Sequence, residues 1–249
     1  MSAATLRSAR NTLVLVAGLL LAWQCLYWFV GDVAMRSPLQ TLQFTARLVT
    51  SDAFWPHLSE TLRAFAAALA IAVSLGLVTG FWLGFHRLSG DVFEPMLVAL
   101  YSIPKITLYP IVLLAFGLGM PAKIAFGAIH GIIPVAIFTI NALRNIKPIL
   151  IKTGRVLDLG TFDIARSILF PAAVPEIFTG IRIGFALTLI GTLLGEMFAA
   201  QRGLGYLLMN AIGLHNIDLI MAVTLLLVVF AAAVSGILLA IDRRLHRRA

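Results

Sequence analysis

Six apolar runs, each near the length that crosses a bilayer, leave this chain few ways to fold. A helix needs ~20 mostly apolar residues to span the hydrocarbon core. Runs of that kind fall at residues 11–31, 62–85, 93–118, 122–143, 175–199 and 217–241. In lipid every backbone N–H and C=O must be paired within the protein, so runs this long form helices. Hydropathy therefore predicts an all-α, multi-pass membrane protein, with 1–249 as a single transmembrane domain. The alternative, a soluble core, is excluded by composition: 60% of the 249 residues are hydrophobic and only 12% are charged, against ~25% charged in soluble domains. The first run follows Arg7 and Arg10 and has no small-residue cleavage site after it, so it is expected to remain as an uncleaved span.

Six spans return the chain to the side on which it began. With both ends inside, twelve of the 19 lysines and arginines lie in cytoplasmic segments, three (Arg36, Arg47, Arg202) lie outside, and Arg63, Lys105, Lys123 and Arg182 lie in or at the ends of spans. The positive-inside rule places both termini in the cytoplasm. The net charge of +8 is thus a membrane-topology signal. No interleaved basic and aromatic patch points to nucleic acid. Cys25 stands alone in an apolar run, which excludes a disulfide framework and a thiolate metal site.

The polar stretch 144–176 separates the fourth and fifth spans and carries Arg144, Lys147, Lys152, Arg155 and Arg166 against Asp158, Asp163 and Glu176. Pro148, Pro171 and Pro175 bracket it, and Gly160 interrupts it. This pattern predicts two short cytoplasmic helices joined by a turn at Gly160, with Thr161 as a cap and Asp163 against the first-turn dipole. By itself it is compatible with an ordinary loop.

Polar residues inside the spans are the other candidates. Lys105 sits between Pro104 and Pro110, roughly 18–20 Å along the third run at 1.5 Å per residue. A charge at that depth is a functional candidate; the alternative is a shortened helix from which the side chain snorkels. In the fifth run Thr188, Thr192 and Glu196 share a face, with Arg182 about 40° from Glu196 at 100° per residue. That stripe either lines a pathway or bonds neighbouring helices. Gly76, Gly80 and Gly84, and Gly180, Gly184, Gly191 and Gly195, form small-residue stripes that allow close helix approach. His130 reads as a packed core residue rather than a ligand.

No phosphate-binding P-loop, HExxH, paired-cysteine or GxSxG motif occurs. The chain is therefore not expected to be an enzyme, to hold a cofactor or to bind a metal. Several stretches, in order, are similar to the membrane-spanning permease subunit of an ATP-binding-cassette importer, in the branch of nitrate, sulfonate and taurine permeases. They are Ser59-Glu60-Thr61-Leu62-Arg63, then Ile103-Pro104-Lys105 with Pro110 and Phe116-Gly117-Leu118-Gly119. Lys123, Pro134, Asn141, Gly160 and Pro171 follow, and then Glu196 with Gly203-Leu204-Gly205-Tyr206. Gly154-Arg155-Val156 stands where the family carries Glu-Ala-Ala, and Phe170-Pro171 where it carries Leu-Pro.

The resemblance implies a six-span type I importer permease fold in a bacterial inner membrane, with a cytoplasmic coupling helix. It implies an ATPase partner that holds the ATP and Mg, a second permease copy completing a homodimeric pore, and a solute-binding protein on the outer face. Coupling would fall to Arg155, Leu157, Asp158, Leu159, Gly160, Thr161 and Phe162. The translocation pathway would use Lys105, Arg182, Thr188, Thr192 and Glu196, for a small organic or inorganic anion. A stand-alone secondary transporter would need an ion-coupling site, for which Glu196 is the one notable intramembrane acid. A non-transporting scaffold would need a dry interior, against which Lys105, Arg182 and Glu196 argue.

Overall fold

The computed structural model describes residues 3–246. The side chains of Arg7, Arg155 and Thr161, and residues Arg247 and Arg248, lie outside the described residues. The described chain is helical: α1 Ala3–Val30, α2 Pro38–Val49, α3 Phe54–Phe85, α4 Arg87–Ser102, a 3-10 turn Lys105–Leu108, α5 Tyr109–Phe116, α6 Met120–Arg144, α7 Pro148–Val156, α8 Thr161–Ile164, a π-helical turn Ala165–Leu169, α9 Phe170–Ala199, α10 Leu204–Gly213 and α11 Ile217–His246. Among the described residues five helices are long and apolar enough to cross a membrane, and a sixth span forms if the bent pair Arg87–Ser102 and Lys105–Phe116 counts as one. The pair bends by 91°.

Two compact units emerge, Met1–Pro56 with Leu207–Val229, and His57–Tyr206 with Phe230–Ala249. In the first, Ser37 caps α2 in a reciprocal capping box with Gln40. Arg36 pairs with Asp218 at 2.7 Å and Asp32 at 3.2 Å, and Trp23 Nε1 donates to the Arg36 carbonyl at 3.0 Å. The hydrogen bond to Asp218 outweighs desolvation and holds the Arg36 pKa above its ordinary value.

In the second unit α6 is the core. A Cβ at Gly76 or Gly80 of α3 would meet Val135 or Thr139 of α6, and one at Gly180 or Gly184 of α9 would meet Phe138 or Val135. Both expected glycine stripes therefore face the same helix from two sides. Small residues matter here because lipid supplies no hydrophobic drive between helices, and van der Waals contact must hold them. Apolar clusters complete the packing, with Phe65, Phe185 and Leu189 against Phe230, Val234 and Leu238, and Tyr109 and Val112 against Phe126. His130 is buried, with Nδ1 2.8 Å from the Phe126 carbonyl.

Several boundaries differ from the hydropathy pattern. Helix α3 starts at Phe54 rather than 62, because Glu60 and Thr61 are paired inside the protein and do not need a loop. Helix α9 starts at Phe170: Pro171 occupies a first-turn position where no N–H is required. The π-helical turn joins α8 directly to it. The sharp turn between α7 and α8 also falls earlier than expected. Asp158 has φ 55, and Leu159 N donates to the Gly154 carbonyl at 3.0 Å. That bond across five residues, with a left-handed residue within it, is a Schellman-type stop. Gly160 instead precedes α8 and accepts from Ile164 N at 2.9 Å.

Candidate functional site

Two places in the second unit concentrate chemistry. The first lies at one end of the α3–α6–α9 core, where each helix contributes to a buried polar network. Glu196 of α9 is fully buried. Thr61 Oγ1 donates to both of its oxygens, at 2.9 and 2.8 Å, and Gly205 N donates to Oε2 at 2.9 Å. Lys123 of α6 is buried too, with Nζ 3.9 Å from Glu196. It donates to Glu60 of α3 at 3.0 Å and to the Arg202 carbonyl at 2.8 Å.

The turn at 201–206 closes over this pair. Leu204 N donates to Thr61 Oγ1 at 2.7 Å, Gly203 N donates to His57 Nδ1 at 3.2 Å, and Tyr206 stacks on the His57 ring. Glycine is required at 203: its φ is 124, and a Cβ would overlap the Glu196 carboxylate. A cleft of about 620 Å³ opens beside the network, lined by Glu60, Leu118, Gly119, Lys123, Phe198, Ala200, Gln201 and Arg202. One ammonium thus answers two carboxylates, Glu196 fully buried and Glu60 half-buried at the cleft. Hydrogen bonds from neutral donors carry the remainder, which is how a buried carboxylate is tolerated.

The second place is the elbow between α7 and α8. Val156 is 85%, Leu157 65% and Phe162 73% exposed, on either side of the left-handed Asp158. Apolar side chains this exposed, beside the charged Lys152, Asp158 and Asp163, have the character of an unfilled contact.

The chain matches the family described as binding-protein-dependent transport system inner membrane component over residues 72–249. It belongs to that family. The taurine transport system permease protein TauC of Escherichia coli (strain K12) is 26% identical over 92% of this chain and 86% of its own length. The nitrate import permease protein NrtB of Synechocystis sp. is 29% identical over 86% and 80%. An inward-facing structure of the MetNI methionine ABC transporter covers 75% of this chain and 93% of its own, with a TM-score of 0.63 at 23% identity, and so shares the type I importer permease fold.

This permease subunit places its sequence-predicted residues unevenly. Thr188, Thr192 and Glu196 do share one buried face of α9. A Cβ at Gly127 or Gly131 of α6 would meet Thr192 or Thr188, so the two threonines pack against glycine. Thr192 donates to the Thr188 carbonyl at 2.9 Å, while the Thr188 hydroxyl has no partner among the described residues. Arg182 lies elsewhere, 3.6 Å from Asp242 of α11. Lys105 is half-buried at the bend, where Nζ donates to the Tyr101 carbonyl at 3.0 Å and lies 4.9 Å from the Tyr101 ring centre. Of the elbow residues, Asp158 and Gly160 are exposed and Leu159 is half-buried.

Sequence reasoning gave no role to Glu60, Thr61, Lys123 or Asp242. An available signal was pairing by charge: Glu196 needed a buried cation, and Lys123 is a lysine at the end of the preceding span. Among the described residues no cluster of metal-ligating side chains occurs.

Proposed function

We propose that this chain is the transmembrane subunit of an ATP-driven importer that passes a small anion and is driven through its 144–175 loop by a separate ATPase. The observation that carries the coupling part is the exposure of Leu157 and Phe162 on the elbow. Nothing is gained by presenting these side chains to water, but a helical turn seated in a groove of a partner buries them. Arg155, Asp158, Leu159, Gly160 and Thr161 complete that elbow. ATP-driven closure of two ATPase subunits then displaces it and shifts the spans between two arrangements. A second copy of the chain completes the pore, and a solute-binding protein loads it from the face opposite the elbow. The ATP and Mg belong to the ATPase.

Support for an anion comes from the names of the taurine and nitrate relatives and from Lys105 at the bend of the broken span. Bent or interrupted backbone persists in a membrane where it is buried in protein or lines a wet cavity, and Lys105 is the cation placed there. Thr188, Thr192, Glu196 and Arg182 are the further pathway residues of this reading.

The test is purification of the ATPase with the tagged chain from membranes. Leu157→Asp/Phe162→Asp is expected to insert normally and to lose the ATPase. In proteoliposomes of the parent complex, Lys105→Gln is expected to cut uptake of labelled taurine or nitrate about tenfold or more, the scale of one lost charge-assisted contact. Full recovery of the ATPase with the double variant would refute the coupling assignment. Unchanged uptake in Lys105→Gln would refute the anion assignment.

A further inference from the structure

The broken span is loosely held in this chain. Gly90 is its one buried residue in α4, and from Pro95 to Ser102 the helix is mostly exposed. Among the described residues the ion pairs of α4 converge on a single guanidinium. Arg144, the last residue of α6, sends Nη1 to Asp91 Oδ1 and to Glu94 Oε2, both at 2.9 Å. Its Nη2 donates to the Arg87 carbonyl at 3.1 Å. Residues 87, 90, 91 and 94 follow the i, i+3, i+4, i+7 spacing of one helix face. Gly90 is the floor of this seat, since a Cβ there would overlap Arg144 Nη2 and the Leu83 carbonyl. On the α3 side Gly90 lies against the Leu83 carbonyl, and Trp82 lies 6.3 Å from Phe93 between ring centres.

Position in the chain gives the seat its meaning. Arg144 stands three residues before Lys147, whose carbonyl accepts from Leu150 N in the first turn of α7. The residue that grips the foot of the broken span is therefore the one from which the elbow arm departs. Neither the deep packing of α6 nor the exposed elbow needs such a grip. The exposed foot of α4 does.

We infer that Arg144 is a positioning residue that makes the foot of α4 move with the elbow arm, so that displacement of the arm reaches the bend at Lys105 through one guanidinium. The inference rests on the elbow being the contact with the ATPase. The seat supplies the link because one nitrogen bridges two carboxylates a turn apart. That geometry resists both sliding along α4 and rotation about it, which a single ion pair does not.

The experiment uses the complex in lipid nanodiscs on a Cys25→Ser background. Spin labels at Leu88→Cys and Ile149→Cys, both exposed positions, sit in one permease copy opposite an unlabelled one. In the parent, the 88–149 distance distribution is expected to be narrow and to keep its centre between nucleotide-free and ADP–vanadate states. In Arg144→Gln and Glu94→Gln it is expected to broaden, and to shift between states by more than about 2 Å, the size of helix displacements in switching proteins. Gly90→Val keeps every charge yet displaces the guanidinium together with the Leu83 carbonyl contact, and is expected to do the same. Arg144→Lys is expected to narrow the distribution part-way back. The double variant Arg144→Gln/Glu94→Gln should be no broader than Arg144→Gln alone, because losing the guanidinium already removes the contact that Glu94 makes. Distributions as narrow and as fixed as the parent's in Arg144→Gln and Gly90→Val would overturn the inference. Failure to recover ATPase with the parent chain would instead overturn the elbow assignment, and the width measured on the permease alone would still decide whether the seat holds α4.

Discussion

At the scale of single residues, the Lys123–Glu60–Glu196 network is the strongest commitment in the chain. Removing one partner of a buried pair leaves a charge with nothing to answer it and costs about 3–5 kcal/mol, whereas replacing both partners together is often near neutral. Lys123→Met is therefore expected to lower the unfolding midpoint of the solubilised protein sharply. Lys123→Met/Glu196→Gln should recover much of that loss, since Gln keeps an acceptor for Thr61 and Gly205 while shedding the charge. A double variant as unstable as the sum of the two single ones would show that the residues do not interact. The sequence exposed half of this network. Glu196 stands out because an acid in an apolar run is costly, and its stripe with Thr188 and Thr192 follows from the helical period. Its partners were hidden because Thr61 and Lys123 lie 135 and 73 positions away in the chain, and hydropathy registers the cost of a charge without registering what neutralises it. Arg182 shows the opposite error of the wheel. Its angle to Glu196 is small, but fourteen residues of rise separate them, and Asp242 of α11 takes its charge.

At the scale of elements, glycine spacing was the most legible feature, because small residues every fourth position have one physical use between apolar helices. A Cβ at Gly80 would come within 2.5 Å of Thr139 Cβ and 2.9 Å of the Ala136 carbonyl. Backbone lies on that side, so α3 and α6 must separate to accept it. Gly236 of α11 has nothing within 4 Å of such a Cβ. Gly80→Val is expected to destabilise by about 1–3 kcal/mol, the usual cost of overpacking, while Gly236→Val leaves the thermal midpoint near that of the parent. Equal midpoints for the two would refute the packing of α3 on α6. Less legible were features set by backbone geometry. The 91° bend falls at Ile103-Pro104, whereas Pro110 merely opens α5 at a first-turn position. Pro95 sits inside α4 without ending it. Three prolines in one run announce an irregular span but not which of them breaks it. Likewise the elbow's left-handed residue is Asp158 rather than the neighbouring glycine, since a short polar side chain also tolerates that conformation.

At the scale of the whole molecule, burial divides the spans by role. In α6 61% of the most apolar window is buried within the chain, in α11 11%, and in α1 none. A helix whose apolar window has no buried residue must meet lipid or another protein there, whereas α6 is packed within its own unit. Orientation is the remaining global property, and charge settles the expectation: basic residues crowd the segments that share a side with the elbow. On a Cys25→Ser background, Phe162→Cys is expected to resist a membrane-impermeant maleimide in intact cells and to react once the membrane is opened. Gln201→Cys, in the exposed turn over the Glu196 network, should react in intact cells. The opposite pattern would put the elbow on the outer face, where no ATP is available to drive it. The coupling assignment and the link through Arg144 would then fail together, because both require the elbow to stand where an ATPase can reach it.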